Sequence, residues 1–84
     1  MVGDPAAKAA AEAEFPYRID VPLPGIGWGR LRKMLEWCRD NISGPSTMHH
    51  HSERRPGQSP IEYARFYFAT AREAEAFRRH WMAD

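Results

Sequence analysis

Between Tyr63 and Trp81 the apolar residues change their repeat without an intervening linker. Ala64, Phe66 and Phe68 recur at every second position with Tyr63, Arg65 and Tyr67 between them, the alternation of a strand that buries one face. Thr70-Ala71-Arg72-Glu73 follows at once and has the spacing of a capping box, in which hydroxyl and carboxylate satisfy free backbone amides at a helix start. Ala71, Ala74, Phe77 and Trp81 then share a helical stripe, with the aliphatic stem of Arg78 able to lie beside it. A strand that runs straight into a helix must bury both apolar faces in a common layer, so the chain belongs to the two-layer α+β class.

The preceding residues supply the other elements. Phe15, Tyr17, Ile19, Val21 and Leu23 alternate with Arg18 and Asp20, which predicts a short strand bounded by Pro16, Pro22 and Pro24 and suited to a sheet edge. After Gly25-Ile26-Gly27 the repeat becomes helical, with Trp28, Leu31, Met34, Leu35, Cys38 and Ile42 on one stripe and Trp37 at its shoulder or exposed. Ser43-Gly44-Pro45 ends this helix, with Gly44 suited to a left-handed cap. Residues 46–53 read as a strand with Met48 and His50 inward and His49 and His51 outward, and residues 54–60 as a loop.

The order is therefore β-α-β-β-α. A right-handed crossover with the third strand inserted antiparallel gives a sheet of order 1-3-2, a ferredoxin-like sandwich lacking its last strand. Both helices are expected on the face carrying Tyr17, Ile19, Val21, Phe66 and Phe68, with Leu31, Leu35, Phe66, Phe68, Phe77 and Trp81 as the core. The opposite face is expected to stand open. Residues 1–14 contain no large apolar side chain after Val2 and read as a disordered or fraying tail. Residues 15–84 form the single domain.

A chain of 84 residues has little surface to bury, and three Trp, four Phe and three Tyr supply a core without staples. One cysteine, Cys38, excludes an internal disulfide, and no stretch suits a membrane span or export signal, so a cytoplasmic location is expected. Twelve basic against 11 acidic residues leave a net charge of +1, so any basic site is local.

The face expected to be open collects Arg18, Asp20, His49, His51, Tyr63, Arg65 and Tyr67, with Arg54 and Arg55 in the adjoining loop. Rings that stack on bases and guanidinium groups that hold phosphates make it a candidate binding face for single-stranded nucleic acid. His49 and His51 point the same way from a strand and are candidate metal ligands, with Asp20, Glu53 or His80 as a third. Cys38 lies on an apolar stripe and reads as a small buried hydrophobe. Gly25-x-Gly27-x-Gly29 lacks the lysine of a phosphate loop and reads as a strand-to-helix turn. No catalytic constellation and no cofactor fingerprint stand out, and a sandwich this small leaves little room for a pocket of several hundred cubic ångströms.

The run from Tyr63 to Phe77, an aromatic strand passing into a helix, resembles part of the RNA-recognition motif, though without that motif's glycine. Phe66-x-Phe68 followed by Ala74-x-x-Phe77-x-x-x-Trp81 resembles the end of small bacterial and phage-associated proteins, a likeness that implies the strand-capped-helix module and no activity. The reading of the whole is a non-enzymatic interaction or assembly module, expected as a homodimer through the open face and able to take a protein partner. Nucleic-acid binding and metal binding at His49 and His51 are the alternatives.

Overall fold

The structure, a computed structural model, describes residues 5–23 and 25–82. Val2 and Pro24, singled out above, lie outside the described residues. Six elements follow in order: α1 (Pro5–Glu14), β1 (Tyr17–Pro22), α2 (Gly27–Asn41), β2 (Ser46–Glu53), β3 (Ile61–Phe68) and α3 (Ala71–Trp81). The strands form one antiparallel sheet of order β1-β3-β2, the order expected from the crossover argument. Register places Ile19 and Met48 on either side of Phe66, and Asp20 and His49 on either side of Arg65. Alternation along β3 therefore decides which face each neighbour joins. No helix among the described residues is long and apolar enough to cross a membrane.

The principal core lies between the sheet and the pair α2 and α3. Val21, Leu31, Met34, Cys38, Ala64, Phe66, Phe68 and Phe77 are buried there, and Phe77 meets Phe66 and Phe68 at ring centroid distances of 4.6 and 5.3 Å. Trp81 packs at its margin. The Arg30 guanidinium lies 5.4 Å above that indole and donates to the Trp81 carbonyl at 3.2 Å, linking α2 to the end of α3.

Helix α2 is turned relative to the stripe expected for it. Leu31, Met34 and Cys38 are buried and Trp37 is half-buried against Phe77, whereas Leu35 is 40% exposed and Trp28 85% exposed. At about 100° per residue, this centres the buried stripe roughly 50° closer to Trp37 than the apolar residues alone imply. Trp37 wins because it reaches two aromatic neighbours, Phe77 at 6.0 Å and His80 stacked at 5.1 Å. Leu35 and Trp28 therefore leave the core.

The α2–β2 and β3–α3 junctions meet through one glutamate. Glu73 N donates to the Thr70 hydroxyl at 3.2 Å, as a capping box requires, but the Glu73 carboxylate accepts from Gly44 N at 3.0 Å. Gly44 does not take the left-handed conformation expected of it. A β-carbon there would stand 3.0 Å from the glutamate oxygen, so a larger residue would push the Glu73 carboxylate away from this contact.

Residues 5–14 differ most from expectation. They form α1, which lies across the second face of the sheet, so that face is not open. Lys8, Ala11, Glu12 and Phe15 touch the sheet, at successive spacings of three, one and three residues that make one helical stripe. Phe15 does not join Tyr17 and Ile19 in β1. Its amide donates to Ala11 O at 2.8 Å, extending the helix end, and its ring packs 6.4 Å from that of Tyr67, which is 0% exposed.

Candidate functional site

Under α1, the β1 and β3 register brings Asp20 opposite Arg65 and Arg18 opposite Tyr67. Arg65 Nε and Nη2 donate to the two Asp20 oxygens at 2.7 and 2.9 Å, a bidentate fork, while Nη1 donates to Glu12 Oε2 at 2.9 Å. Tyr67 donates its hydroxyl to that same Glu12 oxygen at 2.9 Å, and Arg18 stands 3.8 Å from the other. The Tyr67 hydrogen bond, then Arg65, holds the Glu12 carboxyl below its usual range, and the Arg65 hydrogen bonds do the same for Asp20. Burial, followed by the hydrogen bond to Glu12, pushes the Tyr67 phenol up to about 12.

These residues were grouped correctly by their alternation, but they are occupied with one another. Tyr67 is covered and the Arg65 side chain is only 13% exposed, so neither presents a stacking surface or a phosphate fork to solvent. Arg54 and Arg55 lie in the exposed β2–β3 loop, away from this network, with Arg55 3.6 Å from Glu53. His49 packs edge-on to Tyr67 at 5.7 Å, and Tyr63 lies 6.2 Å from the His51 ring. Sequence reasoning missed Glu12 and Lys8 because polar helical residues reveal no partner until the half-buried Arg65 and His51 are placed.

At the margin of the network, Asp20, His51 and Glu53 offer ligand atoms that all lie within 4.8 Å of one another. His51 Nε2 is 4.0 Å from Glu53, and His51 Nδ1 accepts from Lys8 Nζ at 2.9 Å. Burial first, then Arg65 and Lys8, lowers the tendency of His51 to protonate. Of the ligands considered from the sequence, Asp20 and Glu53 both join His51. His49 does not, His50 pairs with Glu62 on the other face, and His80 stacks on Trp37 beyond the core.

A second concavity opens between α2 and β2. It is a groove of about 610 Å³ lined chiefly by Leu23, Ile26, Trp28, Leu31, Met48 and Tyr63, larger than a sandwich of this size was expected to hold. α3 lies over β1 and β3, so the helical side of β2 is faced only by the start of α2 and stays partly uncovered. Gly25 and Gly27, at φ of 81° and 77°, make the tight turn that aims the start of α2 toward it. Cys38 stays in the core, its thiol pushed up to about 11 by burial. Compared with protein-family models, curated proteins and solved structures, the chain matches none.

Proposed function

We propose that the protein is an interaction and assembly module that self-associates through the groove between α2 and β2. The observation that carries this reading is Trp28, a large aromatic side chain 85% exposed on the rim of an apolar groove. Exposed apolar surface beside a concavity marks a docking site, and tryptophan is the residue that most often dominates such contacts. Knob and groove belong to one patch, so two copies related by a twofold axis satisfy each other reciprocally. Leu35, two turns along α2, extends the apolar strip.

The flanking sheet edge supports the same occupant. β1 carries Pro22, which blunts its edge, whereas the outer edge of β2 runs for eight residues without proline or lysine. A net charge of +1 puts little repulsion between copies. The sheet face under α1, the expected seat of a dimer, is covered by the helix, which favours this flank for the contact instead. Sedimentation of the untagged full chain tests the reading. A concentration-dependent dimer is expected, with Trp28→Asp a folded monomer of unchanged circular dichroism, and an unmodified protein still monomeric at high micromolar concentration overturns it.

A further inference from the structure

We propose that Asp20, His51 and Glu53 bind a divalent transition-metal ion of the zinc class, and that binding it releases Lys8 from His51. One imidazole and two carboxylates form a mixed nitrogen and oxygen donor set that suits such an ion better than the all-oxygen cages of calcium or magnesium. Tetrahedral bonds of about 2.0–2.2 Å place ligand atoms roughly 3.3–3.5 Å apart. The 4.8 Å spread closes to that distance by side-chain rotation, because Asp20 and Glu53 are partly exposed, at 30% and 39%, and reach the His51 ring from the two outer strands of the sheet. Each Asp20 oxygen keeps a lone pair while accepting from Arg65, so the site forms without breaking that fork.

Lys8 is the competitor already in place. Its ammonium can only donate, so the 2.9 Å contact makes His51 Nδ1 the acceptor and leaves the imidazole proton on Nε2. A metal on Nδ1 takes the position of the lysine outright. A metal on Nε2 moves the proton to Nδ1, where it faces the ammonium donor and ends the hydrogen bond. Either way, metal and the Lys8–His51 bond exclude each other, and by linkage each weakens the other. Lys8 belongs to α1, so the ion loosens one of that helix's attachments while Glu12 retains the others.

Calorimetric titration of the full metal-free chain with zinc, followed by cobalt absorption in the visible, tests this. One ion per chain is expected. His51→Ala and Glu53→Gln each weaken binding by about tenfold or more, Lys8→Met strengthens it by about tenfold, and His49→Ala and His50→Ala leave it unchanged. Zinc also shifts the amide resonances of residues 7–9 more than those around Glu12. Glu53→Gln, on a partly exposed side chain, keeps the test decisive if His51→Ala fails to fold. Loss of binding in the His49 or His50 variants with retention in Glu53→Gln identifies capture by surface imidazoles and overturns the site. Unchanged affinity in Lys8→Met overturns the exclusion.

Discussion

Phe77 shows how a single side chain organises this core: it is 0% exposed and touches Trp37, Phe66 and Phe68, thereby joining α2, β3 and α3. Phe77→Ala is expected to cost about 3–5 kcal/mol in urea unfolding, the usual range for a phenylalanine whose cavity cannot collapse. Leu35→Ala, on the exposed side of α2, is expected to cost less than about 1 kcal/mol, though Leu35 has the hydropathy of the buried Leu31 and belongs to the same apolar repeat. Equal costs at the two sites would mean that α2 sits with Leu35 against the sheet. Tyr67→Phe keeps the buried ring and removes one hydrogen bond to a carboxylate, at an expected cost of about 1–2 kcal/mol by the same measurement.

At the level of elements, α1 is held by polar bonds as well as by the packing of Ala11 and Phe15 against Tyr67, and its attachment therefore depends in part on charge. Folded-state Glu12 and Asp20 titrate below their ordinary values, so the folded form binds fewer protons than the unfolded chain just under the usual carboxylate range. Their contribution is complete above the unfolded values and falls away as pH drops through the folded ones. The melting temperature is thus expected to fall on going from about pH 6 to about pH 3, and to fall less in Glu12→Gln. A Glu12→Gln profile that overlays the unmodified one would remove Glu12 from this account. Deleting residues 1–14 uncovers Tyr67 and Phe15 and leaves Arg65 with Asp20 alone, so a cooperative but earlier urea transition is expected, with α2, α3 and the sheet preserved. The strand-to-helix junction at Thr70 was legible because its hydroxyl contact is local. The Glu73 bond to Gly44 was not, because it spans 29 residues.

Across the whole molecule, the two sides of the sheet are unequally used. One side carries the larger aromatic core and two helices, the other a single helix seated on a small apolar cluster and a polar clamp, and the groove opens along β2. The Cα radius of gyration is 13.0 Å. Small-angle scattering is expected to approach the corresponding monomer value at low concentration and to rise with concentration in the unmodified protein only, staying flat for Trp28→Asp. A concentration-dependent rise that persists in Trp28→Asp places the association elsewhere than the groove.

Alternation in β1 and β3, the helical repeats after Gly27 and Thr70, and the turn between residues 54 and 60 were readable from the chain because period and turn chemistry are local properties. They were sufficient for three strands, two helices and the sheet order, and for sorting Asp20, Arg65 and Tyr67 onto one face. Three features emerged only when the chain closed on itself. Helix α1 is a ten-residue segment of weak intrinsic stability whose attachment requires Arg65 and Tyr67 to be presented together by a finished strand. The turn of α2 about its axis was decided by the aromatic partners that Phe77 and His80 offer Trp37. That same turn put Trp28 in solvent, because a helix can direct only one stripe inward and the best-partnered side chains claim it.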